Sequence, residues 1–573
     1  MEVKVERIDD VPLLLAVMKE MGLAEVLDEH LSPHGNWGRD VSSLSLGQTV
    51  VTWLAYILSQ GDHRLSAVQS WVENLQTTLQ TAVHPDIRPL DLSDDRLGRA
   101  LGYLAEEADW AAVERALGQR LIQVYALAEE VIRTDASTVS TYAEVQADGL
   151  VQFGYSKTHR PDLPQVKIAL ATLDPMGMPL VSLVRPGDRA DDPLYLPLVR
   201  RAHQIVGAGK LYVGDSKMAA LQTRATLQAW GDTYLCPAPR SVVSAEETAA
   251  YVQAARQQQQ IAPWRLEREG KPPLEGEGFC VCVSLTAEVE GKVVKWEEER
   301  WVLRSQVRHQ QALQELERRL TQAEEALEAL NRRGRGRRRY PRQEALAEQV
   351  EALLQQYGVA EWLTVSYRCE AQEREVRAYK GRPARVERRE DWFVAEVQRQ
   401  EEALAAHREQ LGWRVYLTNG AAQGRRLPAT HIVQTYHGQY RIEQGFGRMR
   451  GCPIGITPMH VRRDVQRKGL LHLFSLALRV LTVMEYRVRE ALAQAQEALA
   501  GLYEGNPKRR TRRPTAERLL RAFRGLNLTA VRMGERVLRH VSVLTDTQQR
   551  ILRLLGLSER LYTGLAAQSS QPP

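Results

Sequence analysis

QVKIALATLDPMGMPLVSLVRPGD, residues 165–188, decides the fold. Two runs rich in β-branched and apolar residues, 165–174 and 178–188, flank the turn formers Asp174, Pro175, Met176 and Gly177. That pattern reads as strand, turn, strand. Just upstream, EEVIRTDASTV (129–139) is a third run of the same kind. Downstream, a helical stretch over 193–206 leads into KLYVGDSKM (210–218), a short strand that ends in an acid. A helix over 219–230 and the strand DTYLCPAP (232–239) follow. The order β-β-β-α-β-α-β predicts an α/β layer with three leading strands before its crossovers.

The chain has 573 residues, too many for one core at about 100–200 residues per domain. Residues 1–125 read as a helical region: Leu46, Val50, Leu54, Ile57 and Leu58 recur at three and four, and Ser93 before Asp94 and Asp95 looks like an N-cap. The α/β segment would occupy 126–240, an insertion 241–410, the resumed α/β layer 411–485 and a helical tail 486–573. Within the insertion, strand-like alternation over 279–303 gives way to Leu313, Leu316, Leu320, Ala323, Leu327 and Leu330, a short coiled-coil seam. NRRGRGRRRYPR (331–342) breaks it, and Leu346, Val350, Leu353 and Tyr357 mark a returning helix that can cover the seam. The strand WRVYLTN (413–419) brings the chain back to the sheet.

Lys and Arg number 77 against 71 Asp and Glu, a net charge of +6. Spread evenly this means little; clustered, it becomes a footprint for polyanions. Arginines 332, 333, 335, 337, 338, 339 and 342 crowd the hairpin tip, where they can meet phosphates with salt-sensitive affinity. Lys508, Arg509, Arg510, Arg512 and Arg513 form a second run. Phosphate contacts position a nucleic acid without reading its sequence. Cys236, Cys280, Cys282, Cys369 and Cys452 show no zinc-ligand spacing, and the expectation is a reduced, intracellular protein. MEVKVERIDD lacks the apolar core of a signal peptide. GLLHLFSLALRVLTVMEY (469–486), interrupted by His472 and Arg479, reads as a buried helix, so no membrane is expected as a partner.

Three acids stand where chemistry could gather. Asp135 closes the first strand of the α/β layer, Asp215 the fourth, and Glu443 lies in TYHGQYRIEQGFGRMRGCP (435–453). Read as one continuous helix, that stretch puts Tyr436, Tyr440, Glu443, Gly447 and Arg450 on one face. Taken singly, the aspartates are ordinary turn residues and the glutamate a solvated helix residue. Together, strand ends and an adjoining helix can converge carboxylates over one sheet edge. Such oxygen donors suit two hard divalent cations about 3.5–4 Å apart, the arrangement for in-line phosphoryl displacement. Asp188, Asp191 and Asp192 are competing carboxylates after the third strand. Ser156, Lys157, His159 and Arg160 form a basic loop beside the second strand, read equally as solvated loop or as a DNA contact. Tyr436 and Tyr440 alone read first as packing residues.

IRTDAST (132–138), FGYSKTHRPDLPQVKI (153–168), LYVGDSKM (211–218) and YHGQYRIEQGFGRMRG (436–451), in that order, resemble bacterial insertion-sequence transposases of the DDE class. The resemblance implies an α/β fold: a ribonuclease-H-like mixed sheet with flanking helices, interrupted by a large α+β insertion, with helical N- and C-terminal regions and DNA binding by residues 1–125. The family's helix signature is Tyr, two residues, Arg, three residues, Glu, six residues, Lys. Tyr436 and Glu443 match it, Gln439 stands in the arginine position and Arg450 in the lysine position. Arg450 keeps a phosphate-binding charge that Gln439 lacks, with Arg441 or Arg448 as substitutes. By this resemblance Asp135, Asp215 and Glu443 are catalytic and hold two Mg²⁺, or Mn²⁺ in their place. Tyr436, Gln439, Arg448, Arg450, Lys217, Lys157, His159, Arg160, Arg337, Arg338 and Arg339 contact DNA. The implied partners are double-stranded DNA with terminal inverted repeats and target DNA, engaged by a homodimer in the cytoplasm at the nucleoid. A nuclease of the same fold that does not join strands, and a catalytically inactive DNA-binding descendant, are the alternatives.

Overall fold

The structure, a computed structural model, describes residues 2–31, 37, 44–157, 160–268, 270–334, 338–376, 383, 385–534 and 536–567. A central nine-stranded mixed sheet organises them. With β1 at Glu2–Arg7, its strands are β2 (Val131–Ser140), β3 (Gln165–Leu173), β4 (Met178–Pro186), β5 (Leu211–Val213), β6 (Thr233–Pro237), β7 (Ala262–Arg268), β8 (Lys271–Val289), β9 (Lys292–Ser305) and, after the pair β10 (Leu363–Val376) and β11 (Arg385–Arg399), β12 (Trp413–Thr418). Their spatial order is β4-β3-β2-β5-β6-β12-β9-β8-β7. β2, β3 and β4 run antiparallel as successive hairpins, while β5 and β6 add in parallel beside β2. The mixed α/β fold expected from the sequence is therefore present.

Every position of β3 is buried, which is why its sequence is apolar on both faces rather than alternating. The helix Asp192–Val206 packs on β2, β3 and β4, and the helix Asp464–Gln494 packs on β4. The latter is apolar and long enough to cross a membrane, but 94% of its apolar window is buried inside the protein. Each of its fully buried leucines contributes about 1.5–3 kcal/mol. Its charged Arg479 is neutralised in place: the guanidinium pairs with buried Glu114 at 3.2 Å and donates to the carbonyls of Pro179 and Leu180.

Helices fill the N-terminal region between Val11–Glu20 and Glu107–Tyr125. Leu46–Gln60 is representative: Ser45 and Gln48 cap each other reciprocally at its start, and Gly61 ends it in a left-handed conformation with φ 67°, as capping boxes and αL caps require. Ser93 does occupy the N-cap of Asp94–Ala105, though its hydroxyl makes no capping bond.

The boundaries read from the sequence meet a more continuous molecule. One core of buried side chains runs from Ile8 to Leu565. β7, β8 and β9, inside the 241–410 segment, extend the central sheet through β12. Only the rest of that segment has a core of its own: Leu316, Leu320, Ala323 and Leu327 of Gln306–Ala329 meet Leu346, Val350 and Leu354 of Gln343–Tyr357, over β10 and β11. The returning helix thus covers the seam as expected. Both chain ends, read as helical, also carry strands: β1 pairs with β13 (Asn527–Met533), which pairs with β14 (Arg536–Val541). β1 alternates as Glu2-Val3-Lys4-Val5-Glu6, but over only five residues and with both valines exposed and Glu6 buried, so the pattern is short and inverted with respect to the core.

Candidate active site

β2 is the axis of the site. Asp135 lies half-buried on it, between Thr134, which hydrogen-bonds the carbonyl of Val213 in β5, and Ala136, whose backbone N–H donates to Asp135 Oδ1 at 2.8 Å. Its carboxyl is pushed up to about 7, chiefly by burial and further by the negative charges of Asp215 and Glu443, against the pull of Lys157 and that N–H. A negative charge nearby disfavours ionisation of a carboxyl. The three acids named from the sequence are thus brought into one electrostatic neighbourhood.

Asp215 follows β5 and caps the short turn Ser216–Ala219, accepting from the Lys217 N–H. Its Oδ1 also accepts a hydrogen bond from the buried hydroxyl of Tyr195 at 2.6 Å. Burial and then Asp215 and Asp135 hold the Tyr195 phenol well above its ordinary range, so it stays a donor.

Glu443 stands exposed in the first turn of the helix Tyr440–Arg450, where a helix dipole favours a negative charge. Here the expectation of one unbroken helix is corrected. The stretch splits into Ala429–His437 and Tyr440–Arg450, with a turn of tightened bonds at Gly438 and Gln439. The cause is Arg133, two residues before Asp135. Its buried guanidinium donates to the carbonyl of Thr435 at 2.8 Å and pairs with Asp174 at 2.7 Å. It passes so close to Gly438 that a Cβ there would lie 2.1 Å from Nη2; only glycine permits that approach. Asp174 in turn receives Arg441, from the Glu443 helix, at 2.9 Å. One carboxylate therefore ties the strand of Asp135 to the helix of Glu443.

The other residues singled out from the sequence fall into distinct settings. Lys157 reaches the site: Nζ donates to the carbonyl of Ala136 at 2.6 Å and pairs with Asp191 at 3.1 Å. Burial opposes its charge, but Asp135, Asp191 and Asp215 outweigh it and hold the ammonium above its usual value. Arg450 also reaches β2, donating to Ser137 Oγ at 3.1 Å. Lys217 pairs with Asp192 at 3.3 Å.

Gln439 is turned inward, its amide donating to the carbonyl of Thr134 at 3.0 Å, and it fastens the helix start to β2. Tyr436 packs edge-on against Tyr416 with ring centroids 5.2 Å apart, and burial pushes its phenol up to about 12. Arg441 and Arg448, the substitutes for the missing signature arginine, are both engaged, Arg448 with Glu485 and Glu517. Arg160 is exposed and pairs with Asp162. Arg338 and Arg339 are exposed on the hairpin tip, over the insertion's separate core. His159 and Arg337 lie outside the described residues.

Tyr195, Arg133 and Asp174 were not singled out from the sequence. Asp174 read as a turn former and nothing else. The one available signal was the pair of arginines, 133 and 441, each close to a candidate acid.

The donor set is all hard oxygen. Among the described residues no three acidic, histidine or cysteine side chains close on one point as a ready metal cage. Mg²⁺ needs none, since it is usually held by one or two carboxylates with waters and phosphate oxygens filling its octahedron. The residues present fit a hard divalent cation of that kind.

Residues 3–112 match the model of a domain of unknown function, DUF4277, and residues 127–357 match the model of the transposase DDE domain. The second match contains Asp135 and Asp215 and stops before Glu443, whose place rests on the geometry. No curated protein matches the chain. Among solved structures, a piggyBac transposase synaptic complex with hairpin DNA is similar at 8% identity and a TM-score of 0.35, over 91% of this chain and 82% of that one. Residues 127–357 are thus similar to the DDE domain of transposases.

Proposed function

We propose that this chain is the transposase of an insertion sequence, cutting DNA at the ends of its own element and joining the freed 3′-OH to target DNA. The observation that carries this reading is the shared electrostatic site of Asp135, Asp215 and Glu443. Asp135, Asp215 and Glu443 would hold Mg²⁺, or Mn²⁺ in its place, two ions per site. Bound ions of this kind lower the pKa of an attacking oxygen and neutralise charge on the leaving oxygen.

The chain's own side chains prepare the site for that chemistry. Tyr195 orients Asp215 through its hydroxyl. Asp174 fixes the Glu443 helix against β2 by binding Arg133 and Arg441 together. Arg450, steadied by Ser137, offers a planar donor fork to a phosphate beside Asp135. Lys157 supplies a second positive group at the same strand. The catalytic layer would comprise residues 126–240 and 411–485, with DNA gripped also by residues 1–125 and by the arginines of the hairpin tip. Partners would be duplex DNA with terminal inverted repeats and target DNA, bound by a homodimer in the cytoplasm at the nucleoid.

Asp135→Asn is expected to lower strand cleavage by about 10³-fold or more, several kcal/mol of transition-state stabilisation, while binding to element ends persists. Cleavage at the wild-type rate would remove Asp135 from the reaction. A labelled pre-cleaved end incubated with plasmid separates a transposase, which yields joined product, from a nuclease, which yields none.

A further inference from the structure

Among the described residues, the aromatic side chains left exposed are Tyr142, Phe153, Tyr155 and Tyr440, at 71%, 55%, 84% and 48%. All four lie either on the connection that also carries Lys157 or on the helix of Glu443. Tyr142, Phe153 and Tyr155 stand on the connection between β2 and β3, and Tyr440 opens the helix of Glu443. Burial of such rings is worth a great deal to a fold, so their joint exposure around one site calls for an occupant.

The backbone beneath Phe153 and Tyr155 is firmly held. Gln152 exchanges two backbone hydrogen bonds with Gln165, at 3.1 and 2.9 Å. The fully buried Gln165 amide donates to the carbonyls of Tyr155 and Gly187 at 3.0 and 3.1 Å. Gly154 lies so flush that a Cβ would sit 2.3 Å from the Gly187 carbonyl oxygen. Along this segment Val151 is buried, whereas Phe153, Tyr155 and Lys157 alternate outward. Residues two apart on an extended chain are about 6.6 Å apart. That spacing admits one flat ring between two others, since stacked bases repeat at about 3.4 Å. Lys157, next in the row, ends at the carbonyl of Ala136, beside Asp135. Arg160, at the outer end, is held by Asp162 at 2.7 Å.

We propose that Phe153 and Tyr155 form a stacking site for an unpaired nucleobase at the DNA end under reaction, with Lys157 leading from that site to the carboxylates. The assignment rests on the transposase reading and names the form of its substrate. A base inside the stack has both faces covered and the last pair of a blunt end exposes only one, whereas an unpaired base can be taken between two rings. Base–aromatic stacking is worth about 1–3 kcal/mol per base, or roughly five- to 150-fold in affinity, and tolerates any base.

The test uses the full chain and two fluorescent duplexes of the same sequence, one blunt and one ending in a short unpaired thymidine overhang, with affinity read by anisotropy without divalent metal. Wild type is expected to prefer the overhang by at least about fivefold. Phe153→Ala and Tyr155→Ala should each erode that preference and together abolish it, while blunt-duplex affinity stays unchanged; Tyr155→Phe should keep it. The proposal fails if wild type shows no preference, or if the alanine variants retain it. It fails also if they lose blunt and overhang binding equally, or if they change only the oligomeric state, which would assign the rings to a protein contact. Absence of binding to either duplex by wild type would instead strike the DNA reading itself.

Discussion

Asp215 is oriented by the Lys217 N–H and by one side chain, a phenol. Tyr195 is buried, its hydroxyl points at Asp215 Oδ1, and its raised pKa keeps the proton in place. Tyr195→Phe removes that donor without changing the shape of the core. A hydrogen bond to a charged group is worth about 1.5–3 kcal/mol, so cleavage should fall about ten- to 100-fold. Titration with Mg²⁺ should need a higher concentration to saturate, and affinity for duplex DNA measured without metal should not move. A parallel loss of DNA affinity would count against a role through Asp215. At this scale Asp215 was legible because it follows the end of its strand, whereas Asp135, read as closing a strand, lies midway along β2 because the pairing with β3 continues through Ser140. Tyr195 was not, because a buried tyrosine on a helix carries no mark of what its hydroxyl meets.

The Glu443 helix depends on a break that its own residues do not announce. Its start is set by Arg133 pressing on Gly438, and Asp174 locks both to Arg441. Gly438→Ala forces the buried guanidinium aside, with loss of its bonds to Thr435 and Asp174, at a cost of about 1.5–3 kcal/mol. The expected result is a lower thermal midpoint and reduced cleavage with DNA binding intact. Gly447, on the same helix, has nothing within 4 Å of a would-be Cβ. Gly447→Ala should therefore raise the midpoint slightly, by up to about 1 kcal/mol of helix propensity. Equal effects at the two glycines would contradict the part assigned to Arg133. Sequence periodicity located this helix and its polar face, yet missed the break, because the cause sits in a strand some three hundred residues earlier. The β10–β11 hairpin went unread for a different reason: Leu363, Val365, Tyr367, Cys369 and Ala371 alternate along β10, but the unbroken charged run over 387–391 hides the matching half of the pattern in β11.

At the scale of the molecule, the two ends of the chain hold one another. Ile8 N–H donates to the Leu526 carbonyl, Gly525 N–H donates to Asp9, and the Tyr562 hydroxyl donates to the Asp9 carbonyl. Asp10, in this buried junction, is pushed from 3.8 up to about 6, first by burial and then by Asp9, against a hydrogen bond from Ser59. Its folded form keeps a proton that the unfolded chain has already lost. The stability contributed by this group therefore falls as pH rises from near 4, and levels off above about 6. Asp10→Asn should be more stable than wild type above pH 6, by about 2–3 kcal/mol, and no different below pH 4; urea midpoints across that range check the sign. The three leading strands and their crossovers were legible from sequence, since β3 and β4 advertise burial on both faces. The extension of the sheet through β12 into β7–β9 was not, because pairing between distant strands leaves no local trace.

The pairing of β1 with β13 also sets a schedule for synthesis. The second residue of the chain finds its neighbour only after the ribosome has delivered residue 533, a wait of about a minute at ordinary elongation rates. During that interval β1 leaves open the edge that β13 will cover, beside the one that stays free in the fold, and an open edge is prone to sticking to other chains. Any message cut short before that point would yield a polypeptide that keeps this edge for good, so truncated copies should be the ones that clump.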